Sequence, residues 1–371
     1  MTEFTGADAR YMARALQLAR RGLYTTDPNP RVGCVVVKDG VVVGEGWHVR
    51  AGEAHAEVIA LRAAGAQARG ADLYVTLEPC CHHGRTPPCT DSVIAAGVRR
   101  VVAAMHDPNP QVAGNGIAAL RAAGIATAVG LQQPSAEALN PGFIARMRRG
   151  RPWVRIKSAA SLDGRTALAS GESRWITGEP ARRDVHRLRA RSSAILTGIG
   201  TVLADDPALT VRLGAAGDNA ERAPLRIVVD SRLRMPASAQ MLRLPGRTLV
   251  ATTVTNDACE QALTEAGAEV MRLPPAAGRV DLAALLQRLA ALGVNELLVE
   301  AGADLCGALL HARLVDELVL YVAPHIMGDQ ARGLFQLPAL ATMADRVALD
   351  ITDVRAVGDD WRIQALVRRP D

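Results

Sequence analysis

The chain has 371 residues, 49% of them hydrophobic and 22% charged, which is the composition of an ordinary globular protein with two or three domains. The net charge is +5 and aromatic residues make up 3%, so surfaces for stacking single-stranded nucleic acid are scarce. No apolar run approaches the roughly 18 residues of a membrane span, and the first residues do not have the pattern of a secretory signal. Six cysteines, three of them in one loop, favour metal binding in a reducing cytoplasm over a disulfide framework.

Residues 1–150 are predicted to alternate strands with helices. The amphipathic stretch 8–21 predicts a helix that ends at Gly22, and segments 32–37 and 41–48 predict a hairpin around Lys38-Asp39-Gly40. Helices are predicted at 58–64, 90–96 and 116–124, each with a glycine at its end, and strands at 73–77 and 101–104. This alternation predicts a three-layer α/β sandwich.

Residues 52–89 carry the side chains expected of a zinc hydrolytic deaminase. His55 and Glu57 lie at the start of a predicted helix, and Cys80 and Cys89 follow a predicted strand. Imidazole and thiolate suit Zn²⁺, and three protein ligands leave the fourth position for water. Glu57, which is not a ligand, would take a proton from that water and deliver it to the substrate. The sequence therefore predicts one catalytic Zn²⁺ per chain, bound by His55, Cys80 and Cys89.

The cysteine loop departs from the general deaminase signature. Eight residues separate Cys80 from Cys89, where that signature has two. Cys81, His82 and His83 in this insert are rival ligands. The alternatives are a closed structural site, which needs four ligands and leaves Glu57 without a role, and buried thiols without metal. Whether Cys81 ever ligates zinc stays open.

The second half repeats the alternation of strands and helices. The basic stretch 146–152 predicts a linker with a solvated surface, which separates domains at 1–150 and 151–371. Strands are predicted at 154–159, 194–198, 225–230, 248–252 and 296–300, helices at 182–191 and 282–292, and an antiparallel pair at 346–351 and 361–367. Gly198-Ile199-Gly200 lacks the third glycine of a dinucleotide fingerprint. The glycine turn at Gly302, before a helix near Leu305, could hold a cofactor phosphate or be a simple β-to-α turn.

Several motifs together resemble the family of bifunctional riboflavin-biosynthesis deaminase/reductases. They are Asn29-Pro30-Arg31-Val32-Gly33-Cys34, the His55-Ala56-Glu57 unit, and residues 78–89, 107–114, 160–165, 204–207 and 299–302. The resemblance implies an N-terminal three-layer αβα cytidine-deaminase-like domain followed by a dihydrofolate-reductase-like α/β domain. The first would deaminate 2,5-diamino-6-(5-phosphoribosylamino)pyrimidin-4(3H)-one. The second would use NADPH to reduce the ribosyl group of 5-amino-6-(5-phosphoribosylamino)uracil to ribityl.

The same resemblance implies which residues bind substrate and cofactor. Pyrimidine and phosphoribosyl contacts in the first half would come from Asn29, His48, His82 and Arg85. Substrate contacts in the second half would come from Lys157, Ser173, Arg189, Leu209, Arg212 and Glu300. The NADPH site would consist of Ala159, Trp175, Thr201, Asp205, Ser231, Gly302, Ala303, Asp304, Leu305, Cys306, Gly307 and Ala308. From spacing alone, His48 and His82 are equally well explained as structural or surface histidines.

The expected partners are small phosphoribosylated pyrimidines, not nucleic acid or membrane. A cytoplasmic homo-oligomer, dimer or tetramer, is expected. Two rival interpretations stay open: a tRNA or other nucleic-acid deaminase with an unrelated C-terminal domain, and a non-enzymatic zinc-stabilised binding protein.

Overall fold

The computed structural model describes residues 4–82, 87–213 and 223–368. The chain forms two compact units, Met1–Gly150 and Arg151–Asp371. Within the described residues, no helix has the length and apolar character needed to cross a lipid bilayer.

The first unit is built around a five-stranded sheet of order β2-β1-β3-β4-β5. Its strands are β1 Gly33–Lys38, β2 Val41–Trp47, β3 Asp72–Val75, β4 Arg100–Ala103 and β5 Ala126–Val129. Its helices are α1 Gly6–Arg20, α2 Ala56–Ala64, α3 Cys89–Ala96, α4 Asn115–Ala122, α5 Gln133–Leu139 and α6 Pro141–Arg149, with a 3₁₀ turn at Gly65–Ala68. Strand β1 is antiparallel to β2 and β3, whereas β3, β4 and β5 run parallel.

Helices cover both faces of this sheet. Val36 packs on one face with Ala60 of α2, in a core that also includes residues of α3 and α4. Its neighbour Val35 packs on the other face with Met12 of α1 and Phe143 of α6. Successive strand residues point to opposite faces, so both layers are filled from one apolar strand. The predicted three-layer α/β sandwich is confirmed.

Two glycines in β2 let α2 lie directly against the sheet. A Cβ atom at Gly44 would lie 2.2 Å from the Ala60 carbonyl oxygen, and one at Gly46 would lie 2.4 Å from the Ala56 carbonyl oxygen. Because neither position has room for a side chain, the start of α2 is fixed in place next to β2.

The second unit contains a nine-stranded sheet of order β11-β10-β9-β8-β14-β6-β15-β18-β17. Its strands, with those of two short separate pairs, are β6 Trp153–Ser161, β7 Arg165–Ala167, β8 Ala194–Gly198, β9 Leu225–Val229, β10 Thr248–Thr252, β11 Ala268–Arg272, β12 Pro275–Ala276, β13 Arg279–Val280, β14 Glu296–Val299, β15 Glu317–Ala323, β16 Arg332–Gly333, β17 Leu349–Val357 and β18 Asp360–Val367. Its helices are α7 Glu179–Arg191, α8 Ile199–Asp205, α9 Asp257–Glu265, α10 Leu282–Ala291 and α11 Ala303–His311, with 3₁₀ turns at Gln240–Arg243 and Met343–Asp345. In this sheet the seven strands β11, β10, β9, β8, β14, β6 and β15 run parallel. Strands β18 and β17 add an antiparallel edge next to β15.

Helices also cover both faces of the large sheet. In β8, Leu196 packs into a core with Leu289 of α10 and Leu309 of α11. The adjacent Ile195 packs on the opposite face with Val202 of α8. The carboxyl ends of neighbouring parallel strands β8 and β14 meet at one edge, which is where α/β sheets bind ligands.

A buried ionic network joins the three central strands β14, β6 and β15. Arg155 of β6 is 1% exposed. Its guanidinium donates to Glu296 of β14 at 3.0 Å and forms an ion pair with Glu317 of β15 at 2.8 Å. Burial opposes the charged form of Arg155, but the two carboxylates raise its pKa. The guanidinium is therefore retained as a paired charge in the core.

Two segments illustrate how the structure departs from the sequence predictions. The linker predicted at 146–152 is wrong for residues 146–149, which form the last turn of α6 before Gly150 ends the helix at a φ of +63°. The basic residues there belong to an amphipathic helix whose other side, including Phe143, is buried. Strand β15 is not predicted by an alternation of apolar and polar residues. Its sequence is a nearly continuous apolar run, which suits a strand buried on both faces.

Candidate active sites

The three predicted zinc ligands come together at helix starts and a strand end. His55 is the N-cap residue of α2, Cys80 lies beyond the end of β3, and Cys89 is the first residue of α3. Cys89 N donates to Cys80 Sγ at 3.3 Å. A hydrogen bond from the Cys89 thiol lowers the pKa of Cys80 to about 4, while sharing that proton raises the pKa of Cys89. The cluster therefore favours a thiolate, the form that binds metal.

The three candidate ligand atoms lie nearly as far apart as the ligands of one tetrahedral ion, with the His55–Cys89 separation a few tenths of an ångström short. His55 Nδ1 lies 3.1 Å from Cys89 Sγ and 3.6 Å from Cys80 Sγ, and the three ligand atoms lie within 4.8 Å of one another. Ligands of tetrahedral Zn²⁺ at bond lengths of about 2.0–2.3 Å are separated by about 3.5–3.8 Å. One nitrogen and two sulfur atoms are a donor set that Zn²⁺ accepts. Among the described residues, Cys81 is not part of this cluster.

Glu57 lies in the first turn of α2, next to the candidate ligands. It is 3% exposed and lines the same cavity as His55 and Cys80. Burial raises the pKa of Glu57 to about 7; His55 opposes the rise and Cys80 adds to it. A carboxyl group thus stands beside the ligand atoms without belonging to their cluster.

A cavity of about 380 Å³ opens over these residues. The predicted substrate residues Asn29, His48 and His82 all line it. The Nδ1 atom of His82 is buried and has no hydrogen-bond partner in the part of the chain that the structure describes. Arg85, the fourth predicted substrate residue, lies outside the described residues.

His48 is a buried partner of Asn29. Its Nδ1 lies 3.2 Å from the Ala54 carbonyl oxygen, and its Nε2 lies 3.0 Å from Asn29 Nδ2. A carbonyl only accepts and an amide nitrogen only donates, so the ring is neutral with its proton on Nδ1. Burial also lowers the pKa of His48. The ring stands edge-on to His55, with 5.2 Å between ring centroids. His48 therefore fixes the side chain of Asn29 in the cavity that contains the candidate metal ligands.

Sequence reasoning gave no role to Glu78, Asp107 or Asn109, although all three line the cavity. Glu78 is buried beneath the loop that follows β4, and it accepts the backbone N–H of Asp107 at 3.1 Å. Asp107 in turn accepts the Asn109 N–H at 2.8 Å. Burial raises the pKa of Asp107 to about 6. The Asp107-Pro108-Asn109 sequence was the available signal, but it does not reveal that Glu78 holds this loop.

Helix α6 supplies another part of the wall that the sequence did not reveal. Phe143, Arg146 and Met147 line the cavity. The basic composition of this segment indicated a solvated surface, whereas the helix turns Arg146 towards the site.

In the second unit, three predicted substrate residues form one ionic cluster. Arg189 of α7 donates Nε to Glu300 Oε1 at 2.6 Å and Nη2 to Glu300 Oε2 at 2.9 Å. Lys157 Nζ of β6 lies 3.9 Å from Glu300 Oε2. Burial would raise the pKa of Glu300, but Arg189 and Lys157 lower it to about 2. Burial lowers the pKa of Lys157, and Glu300 opposes that change. Two cations therefore share one carboxylate.

The other predicted substrate residues of this unit lie around that cluster or apart from it. Thr210, next to Leu209, accepts Arg189 Nη1 at 2.9 Å through its carbonyl oxygen. Leu209 is buried at a φ of +47°. The Arg212 backbone N–H donates to His186 Nδ1 at 3.1 Å. Ser173 is partly exposed in the loop before α7.

The predicted cofactor residues fall into an exposed group and a buried group. Gly302 is the N-cap of α11, has no side-chain cap, and faces open space where a Cβ would lie. Gly198 is likewise the uncapped N-cap of α8, at the end of the neighbouring strand β8. The start of α11 lies just beyond the carboxyl end of β14, a position at which α/β sheets bind nucleotide phosphates.

Further along α11, side chains turn away from this edge. Cys306 is fully buried in the core, and a Cβ at Gly307 would lie 2.0 Å from the Gln336 carbonyl oxygen. Leu305 packs against the same core, and Asp304 forms an ion pair with Arg279 at 2.8 Å. Ala303 and Ala308 are partly exposed. The residues from 305 to 307 thus support the turn from within, while 302–304 face outward.

The remaining predicted cofactor residues come from four separate segments. Ala159 lies two residues after Lys157 on β6, so both share one face of the strand. Thr201 and Asp205 belong to α8. Ser231 follows β9, and its hydroxyl accepts the Val280 N–H at 3.0 Å.

Trp175 lies in the loop before α7. Its ring is 70% exposed, and the Arg182 guanidinium lies 4.5 Å from the ring centroid.

Comparisons with known proteins identify the family of each unit. A family model for the cytidine and deoxycytidylate deaminase zinc-binding region matches residues 5–105, and one for the RibD C-terminal domain matches residues 152–363. The riboflavin biosynthesis protein RibD of Escherichia coli (strain K12) is 54% identical over 361 residues, which cover 95% of this chain and 97% of that protein. The structure of Acinetobacter baumannii RibD, form 1, is 45% identical with a TM-score of 0.91, over 98% of this chain and 99% of that one. A deaminase/reductase structure from Thermotoga maritima is 31% identical with a TM-score of 0.85, over 98% and 99%.

The fold and the cluster of candidate zinc ligands define the first unit as a zinc-binding domain of the cytidine-deaminase class. The second unit is an α/β reductase domain of the kind that uses NADPH. The identity extends over nearly the whole chain. The chain belongs to the RibD family, the bifunctional deaminase/reductases of riboflavin biosynthesis. The comparisons give no support to a nucleic-acid deaminase with an unrelated second domain.

Proposed function

We propose that the first unit hydrolytically deaminates 2,5-diamino-6-(5-phosphoribosylamino)pyrimidin-4(3H)-one. The second unit then reduces the ribosyl group of 5-amino-6-(5-phosphoribosylamino)uracil to ribityl with NADPH. The Thermotoga maritima relative is named as a diaminohydroxyphosphoribosylaminopyrimidine deaminase and 5-amino-6-(5-phosphoribosylamino)uracil reductase. The observation that carries the proposal is the buried carboxyl group of Glu57 beside three clustered ligand atoms in a cavity of about 380 Å³.

In the deaminase unit, His55, Cys80 and Cys89 would hold Zn²⁺, which when bound activates water at neutral pH. Glu57 would take the proton from that water at its carboxylate and return it to the pyrimidine ring nitrogen and the departing amine. Its burial keeps bulk water from competing for that proton. Asn29, held by His48, would donate to the pyrimidine.

Two further predicted substrate contacts in the deaminase unit belong to the proposal. His82, which lines the cavity, would contact the substrate. Arg85 would contact the phosphoribosyl group.

In the reductase unit, the residues bind and orient while the cofactor supplies hydride. Lys157 and Arg189 would bind oxygens of the phosphoribosyl substrate, and Glu300 holds both cations in place. Ser173, Leu209 and Arg212 would complete this site.

The NADPH side of the reductase unit is proposed at the same edge of the sheet. The uncapped start of α11 at Gly302 would receive a cofactor phosphate. Ala159, Trp175, Thr201, Asp205 and Ser231 would line the rest of the cofactor site.

A homo-oligomer, dimer or tetramer, acting in the cytoplasm on small phosphoribosylated pyrimidines and not on nucleic acid or membranes, is also part of the proposal. The hairpin β17–β18 at the edge of the large sheet exposes Leu349, Ile351, Val354 and Trp361 by 39–64%. A second copy of the chain would cover this apolar surface. The free cysteines suit a reducing compartment. A monomer at all concentrations in light scattering would contradict the oligomer.

The two half-reactions provide the test. Glu57→Gln keeps the size of the side chain, so zinc should stay near one ion per chain while ammonia release falls by about 10²–10⁴-fold. NADPH oxidation with the deaminated intermediate should be unchanged in that variant. Lys157→Met should show the reverse, with reductase activity reduced at least about tenfold and ammonia release intact. Equal loss of both activities in either variant would refute the division of labour between the units.

A further inference from the structure

Helix α6 reaches the deaminase cavity from the opposite face of the sheet to the zinc ligands. Phe143 of α6 packs in the core on the α1 face, whereas α2 and α3, which carry His55 and Cys89, pack on the other face. Phe143, Arg146 and Met147 all line the cavity. Their spacing of three and four residues places them on one side of the helix. The cavity therefore has two walls: a metal wall, formed by the candidate ligands His55 and Cys80, and an α6 wall, formed by Phe143, Arg146 and Met147.

Among the described residues that line the cavity, an anionic substrate would meet one cation besides the histidines. Four carboxylic acids line the cavity: Glu53, Glu57, Glu78 and Asp107. Among the described lining residues, Arg146 is the only lysine or arginine. A phosphate monoester carries a charge of about −1.5 to −2 at neutral pH, so it is repelled by these carboxylates unless a cation lies at its binding position.

Arg146 is also placed differently from the neighbouring arginines of the same helix. Burial lowers its pKa, and the Asp27 carboxylate opposes that change. The guanidinium stays charged, and its position in the cavity wall lets it attract an anionic group of the substrate in addition to Asp27. Arg148, two residues on, is 53% exposed and lies 3.6 Å from Glu137 in a surface ion pair. Arg148 is thus a matched control on the same helical turn.

We propose that Arg146 binds the 5-phosphate of the substrate in the deaminase cavity and gives this unit its preference for phosphorylated pyrimidines. The inference rests on the deaminase function proposed above for the first unit. With the pyrimidine ring at the metal wall, the ribosyl chain extends the phosphate to α6. There the planar guanidinium donates two parallel hydrogen bonds to phosphate oxygens.

The test compares ammonia release from the phosphorylated substrate and from its 5′-dephospho analogue. Arg146→Gln should lower kcat/KM for the phosphorylated substrate by about 10–100-fold, mainly through KM, because it removes hydrogen bonds to a charged group. For the dephospho analogue, the change should stay within about threefold. Arg146→Lys should restore part of the loss, and Arg148→Gln should leave both substrates unaffected. The zinc content of each variant shows whether the first unit is folded, and the NADPH half-reaction shows whether the second unit is folded.

An equal loss on both substrates would show that Arg146 supports the structure and does not bind phosphate, which overturns the proposal. An unchanged kcat/KM for the phosphorylated substrate would overturn it as well and would leave the phosphate to Arg85. If Arg146→Gln fails to fold, Arg146→Lys decides the matter, because the proposal requires a smaller loss confined to the phosphorylated substrate. If the wild-type enzyme releases no ammonia from either compound, the proposed deaminase function itself is wrong.

Discussion

Replacing Glu78 should separate the two activities of the chain, because this side chain holds the loop that lines the deaminase cavity. Its Oε2 accepts His106 Nδ1 at 3.0 Å, the Asp107 N–H at 3.1 Å and the Gly114 N–H at 3.0 Å. Its Oε1 accepts the Ile117 N–H at 3.0 Å. The side chain itself is 0% exposed. One buried carboxylate thus satisfies three backbone donors and one imidazole.

The expected cost follows from these bonds. Glu78→Ala leaves three backbone N–H groups without their acceptor. Each unsatisfied buried donor costs about 1–3 kcal/mol, so the sum is at most roughly 3–9 kcal/mol, and water entering the vacated space reduces it. In Glu78→Gln, the amide oxygen can take the position that accepts three bonds. Its NH₂ group then faces the Ile117 N–H, which costs about 1–3 kcal/mol.

The assay is denaturant unfolding of each variant together with both half-reactions. Glu78→Ala should lower the free energy of unfolding of the first unit by the amount above and abolish ammonia release, because Asp107 and Asn109 lose their positions. NADPH oxidation should persist. Glu137→Gln, which removes only a surface ion pair with Arg148 at 3.6 Å, should change stability by less than about 1 kcal/mol. A Glu78→Ala chain with wild-type stability and full deamination would refute the reasoning.

Cys81→Ser should keep both zinc and deamination, whereas Cys89→Ser should lose both; metal analysis decides, and zinc loss from the Cys81 variant would show that the ligand set is wrong. Acid should destabilise the first unit through Asp8, whose burial would raise its pKa but whose hydrogen bonds from Tyr74 at 2.6 Å and Arg100 at 2.9 Å contribute to lowering it to about 2. Because the pKa of an unfolded aspartate is about 3.9, this stabilisation is complete above that pH and is lost as the pH falls towards 2. The free energy of unfolding of Asp8→Asn should therefore depend less on pH between about 5 and 2, and an undiminished slope would contradict the assignment.

The elements that could be predicted are those whose signals are local. The Lys38-Asp39-Gly40 turn lies between two apolar runs, and the structure places β1 and β2 on either side of it. Gly97 ends α3 at a φ of +68°, as a glycine after a helical segment indicates. The candidate zinc ligands could be proposed in the same way, because His55, Cys80 and Cys89 belong to one short stretch whose residue types suit one ion.

The features that could not be predicted depend on contacts between distant segments. Arg146 in isolation belongs to a basic run, and only the packing of Phe143 against the sheet turns it to the cavity. Glu78 is one acidic residue before a proline, and its partners lie 28–39 residues further along the chain. Lys157 and Glu300 are joined only because β6 pairs with β14. Sequence patterns give the periodicity of each element, whereas these contacts follow from how the elements pack.

The Arg155 network has a consequence for how the large sheet assembles. Strands β14 and β15 are rich in leucine and valine, and β6 between them contributes Val154 and Ile156 to the core, so apolar burial alone would tolerate several alignments between them. A shift of one residue would carry the guanidinium to the other face and bury it without these carboxylates, leaving Glu296 with Arg191 and Glu317 with Gln364. The charges therefore penalise misaligned strands more than they strengthen the correct ones. Arg155→Met would remove this penalty on misaligned strands and also leave two buried carboxylates short of a cation, so it should lower the free energy of unfolding by about 3–5 kcal/mol and reduce the yield of soluble protein on refolding.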